Sequence, residues 1–120
     1  MSSLLAGCSI FVLECDATDA DRLRSVLEGV GAEVSLAFSP GEALVRLERL
    51  EFDIAILDGI DCVDVCKALG GIPCMFHVKR RVPQVFPVWP DTPVLIKPAP
   101  ETVIVETVAK LVGRGGSAAP

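Results

Sequence analysis

The chain has 120 residues, a formal net charge of −5 and an apolar share of 51%. A chain of this length suits one domain that folds alone, and its acidic balance argues against nucleic acid as the main partner, because phosphate contacts need clustered Lys and Arg side chains. The one basic cluster, Lys79, Arg80 and Arg81, is interpreted as a solvated loop. The apolar residues come in short runs, far from the ~20 residues of a membrane-spanning helix, so we expect no membrane contact.

Two features bear on the compartment. The segment from Leu5 to Cys8 has the local pattern of a bacterial lipoprotein cleavage box, but it lacks the basic and apolar regions of a signal peptide. The five cysteines, an odd number without paired spacing, fit a reducing compartment better than a disulfide framework. We therefore expect a cytoplasmic protein.

The hydrophobic pattern alternates between strands and helices. Asp16, Thr18 and Asp19 are candidate N-caps of the first helix, and Ser39-Pro40 opens the second. Strands are predicted over 9–14, 32–38, 53–57, 72–78 and 94–96. Helices are predicted up to Gly31, after Ser39-Pro40, over 61–69 (a short one) and over 101–112. The apolar positions of the second helix are Ala43, Leu44, Leu47 and Leu50.

The segment between the fourth and fifth strands breaks this alternation. It contains four prolines, at Pro83, Pro87, Pro90 and Pro93. Each interior proline costs a helix ~3 kcal/mol, so we predict an extended, proline-stiffened loop where the alternation calls for a helix. Phe86 and Trp89 of this loop either cap the sheet face that a helix would otherwise cover or form a partner surface.

Charged side chains follow three of the predicted strands. Asp58 ends the third strand and Lys97 ends the fifth, while Glu14 and Asp16 close the first. In an open α/β sheet, ligands bind outside the carboxyl ends of the strands, at the topological switch point. Two acidic strand ends and a lysine at one edge therefore indicate a site that handles phosphoryl groups.

This order of elements, with an aspartate after the third strand and a Lys-Pro pair after the fifth, resembles the receiver domain of bacterial two-component response regulators. The resemblance covers 9–112, with 1–8 as an N-terminal lead and 113–120 as a disordered tail. It implies a flavodoxin-like, doubly wound, five-stranded parallel sheet of order 2-1-3-4-5, here with the fourth helix replaced by the Pro-rich loop. Gly71-Ile72-Pro73 and the stretch over 92–98 look like a smaller group of atypical, often single-domain alphaproteobacterial receivers.

The resemblance also implies roles for individual residues. Asp58 would be the phosphoacceptor, a carboxylate nucleophile that takes a phosphoryl group from a kinase histidine beside a divalent metal. Lys97 would pair with the phosphate, and its bond to Pro98 is usually cis in the family. Mg²⁺ would be held by Glu14, Asp16, Asp58 and the backbone of Ile60.

Three positions depart from the family's pattern. Cys15 stands where a second acid ligates magnesium, and a thiol is a poor ligand for Mg²⁺. Asp16 could form a displaced pair with Glu14, so we expect Mg²⁺ binding that is weakened rather than abolished. Val78 replaces the hydroxyl residue that contacts the phosphoryl group, and Val94 replaces the aromatic switch. The coupled Thr–aromatic relay of a typical receiver is therefore absent.

The cysteines and the single histidine have simpler interpretations. Cys62 and Cys66, one helical turn apart, could face Cys15 and form a zinc or redox site. Buried free cysteines that act as small hydrophobic side chains are the commoner case. His77, late in the fourth strand, is expected to be a packed or rim histidine.

Three functions follow. The first is a stand-alone receiver, not an enzyme, that is phosphorylated at Asp58 by a sensor histidine kinase or phosphotransfer protein and signals by contact with a downstream protein, with no output domain. The second is a pseudo-receiver, a binding module not regulated by phosphorylation, which Cys15 and Val78 favour. The third is a thiol-based metal or redox sensor. Asp58 and Lys97 favour the first, which we adopt.

Overall fold

The computed structural model describes residues 3–58, 63–79 and 92–113. Strands and helices alternate along these ranges, as the hydrophobic pattern predicts. The elements are β1 (Ser9–Leu13), α1 (Ala17–Glu28), β2 (Glu33–Ala37), α2 (Pro40–Arg49), β3 (Ile54–Leu57), α3 (Val63–Leu69), β4 (Cys74–Val78), β5 (Val94–Ile96) and α4 (Glu101–Leu111).

The five strands form one parallel sheet in the order β2-β1-β3-β4-β5. This order confirms the predicted flavodoxin-like architecture. Leu13 of β1 lies opposite Leu57 of β3, so the residues that follow these two strands leave the sheet at the same level. The register of the central pair therefore brings Glu14 and Asp58 to one edge.

The sheet separates two apolar clusters, one on each face. Successive residues of β1 alternate between them, with Ile10 and Val12 in one cluster and Phe11 and Leu13 in the other. Helices α1 and α4 contribute Leu23, Leu27 and Ile104 to the first cluster, and α3 contributes Val65, Cys66 and Leu69 to the second. Burial on both faces explains why β1 and β3 are continuous apolar runs.

Side-chain caps begin the first two helices. Asp16 is the N-cap of α1 and accepts a hydrogen bond from the backbone N–H of Asp19 at 3.0 Å. Ser39 is the N-cap of α2 and accepts from the N–H of Glu42 at 3.2 Å, with Pro40 at the first helical position. Both starts were predicted, since each satisfies an N–H group that has no partner within the helix.

Two predicted details differ in the structure. Leu50 was placed on the apolar stripe of α2, but it is 46% exposed, because the chain turns to an extended conformation there. Helix α1 ends at Glu28, before Gly31, which adopts a φ of +99° in the following turn. A Cβ at Gly31 would lie 2.9 Å from Cα of Ala6, so this close approach requires glycine.

Some predictions fall on residues outside the described ranges. These are the replacement of the fourth helix by a Pro-rich loop, which falls on 80–91, the position of Cys62 on α3, and the disordered tail over 114–120. In the part of the chain that the structure describes, no helix is both long and apolar enough to cross a membrane.

Candidate functional site

Lys97 is the centre of a cluster of charges at the carboxyl edge of the sheet. Its Nζ lies 2.8 Å from Oδ2 of Asp58, 2.8 Å from Oε1 of Glu14 and 3.0 Å from Oδ2 of Asp19. The Lys97 side chain is only 8% exposed, and that of Glu14 is fully buried. One cation therefore contacts three carboxyl groups, which follow β1 and β3 and lie in the first turn of α1.

Backbone hydrogen bonds hold the cluster in register. The N–H of Lys97 donates to the carbonyl of Val78 at 2.7 Å, and the N–H of Asp58 donates to the carbonyl of Leu13 at 2.9 Å. These bonds continue the parallel ladders one residue past the ends of β5 and β3. The Lys97–Pro98 peptide bond is cis, as the resemblance implies.

Glu14 carries the most perturbed carboxyl group of the cluster. Its pKa is raised to about 7, chiefly by burial and then by the neighbouring Asp58 carboxyl, while Lys97 acts in the opposite direction. Its Oε1 lies close to Lys97 Nζ, but among the described residues no donor reaches it in hydrogen-bond geometry. A hydrogen bond between the carboxyl groups of Glu14 and Asp58 requires one of them to be protonated. The raised pKa of Glu14 indicates that Glu14 holds this proton.

Lys97 stays charged throughout the physiological range. Burial alone would lower its pKa, but hydrogen bonds to Asp58 and Asp19 and the ion pair with Glu14 outweigh burial and raise the pKa above that of a free lysine. The cation is therefore a permanent part of the site.

Glu14→Gln should remove part of the pH dependence of stability. The pKa of Glu14 is raised from 4.5 to about 7 in the folded protein, so the folded state retains a proton that the unfolded chain loses. Retention of this proton stabilises the folded protein by about 3 kcal/mol. This contribution is complete below about pH 4.5 and is lost as the pH rises through 7. We expect the free energy of unfolding, measured in urea without divalent cations, to fall more between pH 5 and pH 8 in the wild type than in Glu14→Gln.

The comparison with Glu14→Gln is needed because His77 titrates in the opposite direction. Its pKa is lowered by burial and by Lys97, so its contribution to stability is lost as the pH falls. Glu28→Gln, on the exposed face of α1, is the matched control and should keep the wild-type profile. If the free energy of unfolding depended on pH in the same way in the wild type and in Glu14→Gln, the raised pKa of Glu14 would be contradicted.

Asp16 has a structural role at this edge. Its exposed carboxylate caps α1, and the hydrogen bond from the N–H of Asp19 lowers its pKa. Its own N–H donates to Oε2 of Glu14 at 3.3 Å. A displaced metal pair of Glu14 and Asp16 stays a prediction, and Oδ1 of Asp16 already caps the helix.

The positions that depart from the family's pattern lie around the cluster. Cys15 is exposed, next to buried Glu14. Val78 is 4% exposed in the apolar cluster that also contains Phe76, and Val94 is partly buried against it. Neither valine can donate a hydrogen bond. Ile60, the predicted backbone ligand, lies outside the described ranges.

The carboxylates of the cluster have the chemistry that Mg²⁺ requires. Glu14 and Asp58 are neighbouring oxygen donors, and burial together with the Asp58 carboxyl raises the pKa of Glu14, so a divalent cation beside the two would favour the ionised form of Glu14. Among the described residues, no group of three or more His, Cys, Asp or Glu side chains is arranged to hold a metal. Mg²⁺ usually keeps several waters and needs only one or two protein carboxylates, so the pair fits it.

The structure brings two of the thiols together. Cys66 is buried in the apolar cluster beside Cys74, as the commoner interpretation of a buried free cysteine predicts, while Cys15 is exposed, and Cys62, the third thiol of the alternative zinc or redox site, lies outside the described ranges. The pKa of the Cys74 thiol is lowered by its hydrogen bond with Cys66, against the effect of burial, and with a smaller contribution from Thr92. This pairing depends on how α3 packs on β4, which spacing along the chain does not reveal.

Asp19 is the site residue that the sequence analysis missed. It was considered only as a candidate helix cap, yet it is separated from its partner Lys97 by 78 positions and binds it directly. Its place one turn into α1, above the sheet edge, is the only signal that could have indicated this contact.

Several solved structures similar to this chain are response regulators or receiver domains. A two-component response regulator from Clostridium difficile matches with a TM-score of 0.79 and 20% identity, over 91% of this chain and 98% of that chain. A response regulator receiver protein from Burkholderia phymatum matches with a TM-score of 0.78 and 24% identity, over 88% and 95%. The receiver domain of a sensor histidine kinase from Pseudomonas aeruginosa, solved with a magnesium ion coordinated in its active site cleft, matches with a TM-score of 0.75 and 17% identity, over 90% and 99%.

No family model matches the sequence, and no curated protein matches it. The likeness therefore rests on the sheet order, the flanking helices and the extent of the superposition. The chain has the fold of a response-regulator receiver domain.

Proposed function

We propose that the protein is a receiver in a two-component phosphorelay, which accepts a phosphoryl group on Asp58 and signals by protein–protein contact. The observation that carries the proposal is the contact of 2.8 Å between Lys97 Nζ and Asp58 Oδ2 at the carboxyl edge of a receiver-type sheet. The donor would be a sensor histidine kinase or a phosphotransfer protein, and the role is signalling in the cytoplasm rather than catalysis.

Asp58 supplies the nucleophile. Its side chain is 20% exposed and Oδ2 pairs with Lys97, so the other carboxylate oxygen would attack the donor. Attack of that oxygen on phosphorus forms the acyl phosphate, and the bond from phosphorus to the donor breaks with its electron pair leaving on the donor.

Lys97 supplies a fixed positive charge. Because Nζ already touches Asp58, a short movement lets it pair with a phosphoryl oxygen as negative charge gathers there. Its contacts with Glu14 and Asp19 orient Nζ before the reaction, which reduces the reorganisation that the step requires.

Glu14 and Asp58 would hold Mg²⁺, which when bound neutralises oxygens of the transferred group. The proton that Glu14 retains up to about pH 7 would leave as the cation binds, because both compete for the same carboxylate. The affinity for Mg²⁺ should therefore increase with pH across this range.

Beryllofluoride, a mimic of the acyl phosphate, tests whether this site forms the phosphorylated state. We expect its addition with Mg²⁺ to shift the amide NMR signals of residues next to Asp58, Lys97 and Glu14. Asp58→Asn is the control, because its amide cannot form the carboxylate–beryllium bond. An unchanged spectrum in the wild type would overturn the proposal and favour a pseudo-receiver that binds partners without phosphorylation.

Cys15→Asp should tighten Mg²⁺ binding by at least about tenfold, because it adds a carboxylate beside the cation. Two unit charges at contact interact by ~4 kcal/mol at an effective dielectric near 20, and desolvation of the carboxylate reduces this gain. Cys15 is exposed beside Glu14, so the substitution needs no rearrangement of the core. Mg²⁺ titrations followed by amide NMR would measure the change. Cys15→Ser is the matched control, and equal affinities for Cys15→Asp and Cys15→Ser would contradict the prediction.

A further inference from the structure

A cavity of about 300 Å³ lies on the α1 and α4 side of the sheet edge, apart from the phosphoacceptor. Leu23 of α1 and Ile104 of α4 form an apolar wall, and Pro98 closes another side. Among the described residues, neither Asp58 nor Glu14 lines this cavity. Its volume is at the lower end of the range for ligand pockets, and it is too large for a simple ion alone.

His77 presents an unsatisfied polar side chain to this cavity. It is only 6% exposed, and neither ring nitrogen has a hydrogen-bond partner among the described residues. A neutral imidazole has one donor and one acceptor, and buried polar groups in native proteins nearly always have partners. His77 therefore indicates that a polar molecule enters the cavity and supplies the missing hydrogen bond.

The rim of the cavity is cationic. Arg22 and Lys79 are exposed at its mouth, and neither forms an ion pair or hydrogen bond with a described residue. Asp19, the only acid among the described residues that line the cavity, is already paired with Lys97. The two rim cations are therefore available for an anionic ligand, while the acid is already neutralised.

We propose that this cavity binds a small organic anion, with its apolar body against Leu23 and Ile104, its carboxylate or phosphate group between Arg22 and Lys79, and a hydrogen bond to His77. Such a site goes beyond the phosphoacceptor role. Because the cavity shares Lys97 and Asp19 with the charge cluster, an occupied cavity would lie in contact with the residues that orient the phosphoryl site.

Benzoate, phenyl phosphate and the neutral isostere benzamide are suitable probes. His77 is the only histidine of the chain, so its imidazole NMR signals can be assigned without ambiguity in an untagged protein. We expect the two anions to shift these signals saturably, with a dissociation constant on the order of 1 mM, and benzamide to bind at least about tenfold more weakly. Comparison of benzoate with phenyl phosphate distinguishes a carboxylate ligand from a phosphate ligand.

Variants of the rim test the charge assignment without disturbing the core. Arg22→Gln and Lys79→Gln should each weaken anion binding by about three- to tenfold, because each removes one charge-assisted contact at an exposed position. Lys67→Gln removes an exposed lysine on α3, across the sheet, and should bind as the wild type does. The proposal is overturned if the anions leave the His77 signals unchanged, if benzamide binds as tightly as benzoate, or if Arg22→Gln and Lys67→Gln behave alike.

Discussion

Lys97→Met should lower the free energy of unfolding at pH 8 by about 3 kcal/mol, the loss typical of removing one partner from a buried ion pair. The lysine is 8% exposed and is the cation that Glu14, Asp58 and Asp19 share, so methionine would leave these carboxylates facing one another. The loss should be smaller at pH 5, because Glu14 is then protonated. Urea unfolding followed by circular dichroism would measure both values.

Arg46→Met provides the matched control for Lys97→Met. Arg46 pairs with Glu42 one turn earlier on α2, but the two side chains are 40% and 39% exposed. Pairs of this kind contribute about 0.3–0.5 kcal/mol. A similar loss for Arg46→Met and Lys97→Met would contradict the view that Lys97 neutralises a buried cluster.

Asp58→Asn should abolish acyl-phosphate formation with a small phosphodonor such as acetyl phosphate in the presence of Mg²⁺. The carboxamide lacks the ionised oxygen that attacks phosphorus, so we expect no incorporation above background rather than a reduced rate. Intact-protein mass spectrometry after a short incubation would measure the incorporated phosphoryl group.

Asp53→Asn is the matched control, because Asp53 and Asp58 flank opposite ends of β3. Asp53 accepts a hydrogen bond from the N–H of Ser9 at 2.8 Å, at the amino edge of the sheet and far from Lys97. This variant should incorporate phosphate as the wild type does. Label that persists in Asp58→Asn would exclude Asp58 as the acceptor.

The sequence predicted the central contacts because they follow from strand order. Asp58, Lys97 and Glu14 each directly follow a strand, and in a parallel sheet these positions converge on one edge whatever the details of packing. The order of the strands came from the resemblance to receivers, since hydrophobic pattern alone does not specify which strands are neighbours.

Contacts that depend on packing could not be predicted. The pairing of Asp19 with Lys97 requires the first turn of α1 to lie over the sheet edge, and the pairing of Cys66 with Cys74 requires the docking of α3 on β4. Leu50 fits a helical apolar stripe by spacing, but α2 ends one residue earlier. The cavity beside His77 likewise is lined by residues of α1 and α4 and by residues at the ends of β4 and β5, an arrangement that no spacing along the chain encodes.

The most direct test of the central claim is to locate the phosphoryl group by residue. Borohydride reduces an aspartyl phosphate to homoserine, so reduction of the wild-type protein after incubation with acetyl phosphate and Mg²⁺, followed by peptide mass spectrometry, identifies the acceptor. We predict homoserine at position 58 alone, and none when the phosphodonor is omitted. Homoserine at another aspartate, or its absence from position 58, would contradict the assignment of this protein as a phosphoacceptor through Asp58.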